Sequence, residues 1–336
     1  MVLGDLYLGG ETAPRALLPE EVRLPALEYV VRFGARRALP TGWRPWLARW
    51  LGCESVAPLA PARIAALTPA ATHLPPPGTA WFATPVQLQA GLSRVHLAHA
   101  GVLRLGAGEQ AELARAFARD FAGSGYALQP VCGGELILRT PTPWSVTSCE
   151  PARSAGGELP AVLAQGAEAA VLRRLMAEME MWLHSLPMNA ARRGAGEAPV
   201  TTLWLWGGEG DPASPALAPP PALPRAWGDD AYLSGMWHLL GGSAQPLPQA
   251  GRVPAAAGER GVIVLKLSAQ PAAATAAGGA SALAHLDAQW LEPAVHALGR
   301  GLQRLSLIAN DWHFSVSRTD AWRFWRARRP GLSGLV

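Results

Sequence analysis

The sequence predicts an α/β protein with a largely parallel sheet flanked by helices. Three observations predict it. Residues 199–206 (PVTTLWLW) and 261–267 (GVIVLKL) are apolar on both alternating faces, as strands covered on two sides must be. Residues 167–184 (AEAAVLRRLMAEMEMWLH) place Val171, Leu172, Leu175, Met179, Trp182 and Leu183 on one helical stripe. Helical and strand-like patterns then alternate along the chain without an internal repeat. The 336 residues are read as one α/β domain, 1–336.

Taken in order, the first seventy residues look helical and irregular. Trp43, Trp46 and Trp50 have the spacing of a helical stripe that packs into a core. HLPPPG (73–78) breaks the chain, and WFATPVQL (81–88) with VHLAHAGVLRL (95–105) reads as short strands joined by turns. Residues 108–122 put Leu113, Phe117 and Phe121 on one helical face, and Gly123 to Gly125 stop that helix. ELILRT (135–140) alternates as a strand, and 141–166 is mixed loop. The long helix over 167–184 closes at Pro187. After the tryptophan-rich strand come a proline-rich connector at 211–224 and, beyond the 261–267 strand, a low-complexity loop at 271–282. RLSLIANDWHFSVS (304–317) reads as a hairpin turning at Asn310-Asp311, followed by a short helix through Trp325 capped by Thr319 or Asp320.

Composition bounds the function classes. Hydrophobic residues make up 49% of the chain, which supports a sizeable core, and charged residues only 16%. A net charge of +4 is too mild to signal a dedicated nucleic-acid protein. Three cysteines without a CxxC pair, and no signal-like start or long apolar run, predict a cytoplasmic protein that does not enter a membrane.

Ligands in α/β sheets collect at the carboxyl ends of strands, where Gly207, Gly208 and Gly210 follow Trp206. Absent side chains there would leave backbone N–H groups open to an anion. The same run also reads as a plain turn. It matches neither a Walker A loop nor a GxGxxG fingerprint. Glu180 and His184 share a helix face and allow an acid–base pair. Arg323, Arg326, Arg328 and Arg329 interleave with Trp322, Phe324 and Trp325, a pattern that suits either stacking on nucleic acid or inward-packed aromatics beneath solvated arginines.

His184, Pro187, Met188, Asn189 and Arg192, then Gly196, Pro199 and the LWLWGG run, resemble a signature of bacterial cofactor-independent phosphoglycerate-mutase-like proteins, including RpfE-type regulatory proteins. WFATPVQL and the tail WRFWR resemble further stretches of that family. The resemblance implies an alkaline-phosphatase-like core and, in active members, a two-metal phosphoryl-transfer centre. Leu186, Thr201 and Gln87 stand where the family carries a His, an Asn and a His. An early Asp-Gly motif is missing, with only Gly4-Asp5 in its place. The fragments Asp229/Asp230 with His238, His285 with Asp287, and Asp311 with His313 lack ligand spacing. The sequence therefore predicts no metal and no cofactor.

Asn189 and Arg192, lying beyond the helix, remain for a small phosphorylated or carboxylate ligand. Arg192 is expected at the surface, where its removal leaves folding unchanged. Three functions stay open: a mutase-like protein that has lost its chemistry and acts by binding or regulation, with a protein partner among its candidate ligands; an active phosphoglycerate mutase or related phosphoryl-transfer enzyme; and a nucleic-acid- or nuclease-associated module using the C-terminal Arg/Trp patch.

Overall fold

The computed structural model describes residues 1–6, 23–67, 79–90, 95–155, 164–209, 220–249, 259–267, 276–323, 325–327 and 335. In chain order the elements begin with β1 (Val2–Leu3), α1 (Pro25–Phe33), β2 (Ala35–Ala38), α2 (Trp43–Trp50) and α3 (Pro61–Ala65). Then come β3 (Ala80–Ala90), β4 (Val95–Val102), α4 (Ala107–Asp120), β5 (Ala127–Pro130), β6 (Leu136–Arg139), β7 (Val146–Ser148) and β8 (Ala164–Gly166). The middle holds α5 (Ala169–Ser185), α6 (Pro187–Gly194), β9 (Thr202–Trp206), β10 (Arg225–Trp227) and α7 (Ala231–Leu239). The chain finishes with β11 (Gly261–Leu265), α8 (Ala276–Leu286), α9 (Glu292–Ala297), β12 (Arg304–Ala309) and β13 (Trp312–Ser317).

The chain divides into two compact units where the sequence reading took one domain. The first comprises residues 1–51, 220–229 and 244–336. Its six-stranded sheet runs β10-β11-β1-β12-β13-β2, parallel as far as β12 and antiparallel beyond it. This is the α/β architecture expected. Leu27, Val30, Leu291, Leu307, Phe314 and Val316 are among the side chains that fill its core. The Asn310-Asp311 turn is as read, with φ of 47° and 61° at its two residues, and six residue pairs of β12 and β13 in register around it.

Two sequence expectations are corrected here. The N-terminal stretch is not only helical, since Val2 and Leu3 form a buried strand between β11 and β12. Two residues are too short to show periodicity. The low-complexity loop at 271–282 is helical from Ala276, because alanines favour helix whatever the monotony of the sequence. Residues 271–275 lie outside the described residues, as do 211–219 of the proline-rich connector and HLPPPG.

The second unit comprises residues 52–219 and 230–243. Its main sheet is antiparallel, with β4-β3-β6-β5 in order and β9 added to the other side of β3. β7 and β8 form a small pair of their own. The expectation of a parallel setting for β9 is therefore corrected. β9 is antiparallel to β3 and pairs with no other strand among the described residues, yet all five of its residues are buried. Two-sided burial reports covering layers and carries no strand direction. Leu203 and Leu205 pack with Leu172, Leu175, Met179 and Leu183 of α5, while Val171 on that helix is exposed. Trp204 and Trp206 occupy the other face, where Trp206 stacks on Phe82 at 4.5 Å between centroids.

Candidate functional site

Pro187 does not end a helix but begins one. It is the first residue of α6, where a missing N–H costs nothing, and Leu186 is the only residue between α5 and α6. Asn189 and Arg192 thus stand on a helix rather than in a loop, and both are buried. The Asn189 side chain donates to the carbonyls of Leu183 and Val200, each at 2.8 Å, and accepts from the Val200 N–H at 2.8 Å. One amide thereby ties the end of α5 to the residue leading into β9. All of its bonds go to backbone.

Arg192 is buried, which corrects the expectation of a surface side chain. Its Nε donates to the Ala198 carbonyl at 2.7 Å, and Nη1 forms ion pairs with Glu109 and Glu197. Glu109 also accepts the Gly106 N–H at 2.7 Å, so a single carboxylate caps α4 and holds Arg192. Sequence reading missed this because Glu109 and Arg192 are 83 residues apart.

The two family-like stretches meet through β3 and β9, where Val86 lies opposite Thr202. Thr201 Oγ1 donates to the Val86 carbonyl at 3.0 Å and accepts the Leu88 N–H at 2.7 Å. It bridges the irregular step beside Gln87. Thr201 and the backbone flanking Gln87 are thus neighbours, and the Thr201 hydroxyl serves the sheet.

The glycines after β9 have separate causes. Gly207 adopts φ of +70°, and a Cβ on Gly208 would sit 2.3 Å from the Trp81 ring. Between them and the undescribed Gly210 stands Glu209, which sequence reading passed over. Its carboxyl faces the backbone N–H groups of Gly207, Gly208, Glu209 and Ser148, and Oε2 has no hydrogen-bond partner among the described residues. Burial pushes its pKa from 4.5 up to about 7, against the opposing pull of those N–H donors. The turn's donors face the chain's own carboxyl group.

Glu180 and His184 are exposed on α5, and no ion pair joins them among the described residues; Arg174 instead pairs with Glu178 at 3.0 Å. In the tail, Arg323 and Arg326 are half-buried and bond backbone carbonyls of residues 32–34, whereas Trp322 and Trp325 are exposed. Arg328, Arg329 and Phe324 fall outside the described residues. The predicted last helix is a short 3-10 turn, Arg318–Trp322, capped by Ser317 with Asp320 as its reciprocal partner. A hydroxyl one turn earlier than expected takes the capping position.

The metal-candidate fragments have other occupations. Asp230 caps α7 by accepting the Leu233 N–H at 2.9 Å. Asp287 accepts the Leu27 and Ala26 N–H groups at 2.7 and 3.2 Å, capping α1 from a different helix, while His285 is exposed. His313 packs on Trp46 at 5.2 Å, and burial lowers its pKa, with the chain's amino terminus and Arg37 adding to the effect. Asp311 lies in the β-turn. Among the described residues no group of three or more His, Cys, Asp or Glu side chains is placed to hold a metal ion. These residues do not fit a two-metal centre.

At the carboxyl edge of the parallel strands, Asp5 follows β1 and accepts the Leu267 N–H at 2.6 Å, and Lys266, the chain's sole lysine, follows β11. Strand direction alone marks this edge. It was illegible while β1 was unrecognised.

No family model matches the chain, and no curated protein matches it. Among solved structures it is similar to the cofactor-independent phosphoglycerate mutase from Thermoplasma acidophilum DSM 1728, with a TM-score of 0.38 and 16% identity. That match covers 88% of this chain and 82% of the other. The likeness is distant and assigns no residue a role. No helix among the described residues is long and apolar enough to cross a membrane.

Proposed function

We propose that this chain is a mutase-like protein that works by binding or regulation rather than by phosphoryl transfer. The observation that carries this reading is the commitment of Asn189, whose three hydrogen bonds all go to backbone at Leu183 and Val200. A residue that must turn toward a substrate phosphate is not free to brace two elements of the fold at once. Arg192 supports the same reading, since Glu109 and Glu197 already neutralise it. Glu209 adds to it by setting a carboxyl group before the Gly207–Gly208 donors that an anion would use. Binding then falls to surfaces outside the signature.

The test is turnover. Purified protein supplied in turn with Mn²⁺, Mg²⁺ and Zn²⁺ is followed by phosphorus NMR on 3-phosphoglycerate. No 2-phosphoglycerate and no free phosphate are expected. Metal-dependent conversion that a chelator abolishes would sink the proposal and restore the enzymatic reading.

A further inference from the structure

Trp322 and Trp325 are 78% and 71% exposed, the two most exposed aromatic side chains among the described residues. Singly exposed apolar groups are ordinary, but two exposed indoles three residues apart in the sequence are not. The neighbouring arginines explain why they stand out. Arg326 Nη1 donates to the Gly34 carbonyl at 2.8 Å and contacts those of Arg32 and Phe33, at the end of α1, while Arg323 reaches the Phe33 carbonyl at 3.3 Å. Arg32 Nε returns a bond to the Arg326 carbonyl at 2.9 Å. Arg323 and Arg326 are pinned to the end of α1, and the two indoles beside them stand in solvent.

The surroundings are basic. Arg36, exposed on the edge strand β2, lies over the half-buried Trp312 ring at 3.4 Å. Arg304 and Arg323 both act on Asp320, the carboxylate of the turn, which bonds Ser317 and pairs with Arg323.

We propose that this segment and the β2 edge beside it form a binding surface for single-stranded nucleic acid, with Trp322 and Trp325 as stacking platforms and the exposed Arg36 and Arg304 along the phosphates. Flat aromatic faces beside arginines match unpaired bases on an anionic backbone. A duplex keeps its base faces stacked and offers the indoles nothing. A lipid surface would require an apolar stripe along an amphipathic helix, and a five-residue 3-10 turn has none.

The test is fluorescence anisotropy with a labelled oligothymidylate of about 16 nucleotides, in buffer of about 50 mM salt. A duplex, heparin and phosphatidylserine vesicles are run as competitors. Saturable binding is expected, weakened by salt and preferring the single strand. The double variant Trp322→Ala/Trp325→Ala should bind about tenfold or more weakly. Its thermal melt should match wild type, because both side chains are exposed. Met181→Ala, which removes an exposed apolar side chain of the other unit, should bind as wild type. Absence of binding, equal affinity of wild type and the double variant, or stronger competition by duplex, heparin or vesicles would each overturn the proposal.

Discussion

Replacing Glu209 by Gln should flatten the dependence of stability on pH. The folded protein holds the Glu209 proton up to about pH 7, whereas the unfolded chain releases it near 4.5. Below 4.5 both states are protonated and the group makes no difference. Between 4.5 and 7 the folded state binds more protons than the unfolded one, so stability falls as pH rises. Above 7 the loss is complete. The rise from 4.5 to about 7, at about 1.4 kcal/mol per pH unit, amounts to about 3 kcal/mol. The residue keeps some solvent contact although its Oε2 has none, so about 3 kcal/mol is an upper figure. Gln keeps one acceptor for the backbone donors and cannot ionise. Denaturant melts of both proteins at steps from pH 5 to pH 8.5 measure the effect as a difference, in which other titrating groups cancel. The wild type should lose up to about 3 kcal/mol relative to the variant across that range. Two curves that stay parallel would refute the buried carboxyl, and with it the account of the glycine turn.

Three further outcomes follow from burial and bonding. Asn189→Ala leaves the Val200 N–H and two carbonyls without their partner and should cost about 3 kcal/mol or more, read from chemical denaturation. Arg192→Ala should cost about 2 kcal/mol, well beyond the roughly 0.5 kcal/mol of a surface change. Arg192→Lys should not restore it, since one ammonium cannot serve the Ala198 carbonyl and both carboxylates. Trp206→Ala removes an indole that stacks on Phe82 and bonds Thr84 Oγ1 at 2.8 Å, and should cost about 3–5 kcal/mol. A variant melting like wild type would contradict its burial.

Legibility in the sequence followed the range of the forces involved. The stripe of α5, the alternation of β6, the continuous apolar run of β11 and the Asn310-Asp311 turn are local patterns, and each was readable where it stands. Strand direction was not, because β9 looks alike from its residues whether its partner runs parallel or antiparallel. Pro187 carried two local meanings, a stop for one helix and a first residue for the next, and only the single-residue link at Leu186 chose between them. In the candidate site, the importance of Asn189 and Arg192 was visible but its nature was not. Asn189 meets Val200 eleven residues away, and Arg192 meets Glu109 across 83. Pairings at such separations leave no periodic trace in a single chain.

The glycine turn shows how one chemistry serves two ends. A strand that ends in Gly207 and Gly208 opens backbone donors, and such a concavity favours negative charge from any source. A ligand that fills it must lose translational freedom and be supplied from solution. Glu209 is already attached, so it meets the donors at a high effective concentration and at the cost of its own desolvation. That cost is visible in its pKa of about 7. The same balance sets what an added anion would face. Above pH 7 it would have to displace a charged carboxylate, and below pH 7 only a protonated one, whose hold on N–H donors is weaker. Competition at this turn should therefore ease as pH falls, and anion binding measured by calorimetry at pH 5.5 and pH 8 would show it. Binding that strengthens toward pH 8 would place the anion elsewhere on the protein.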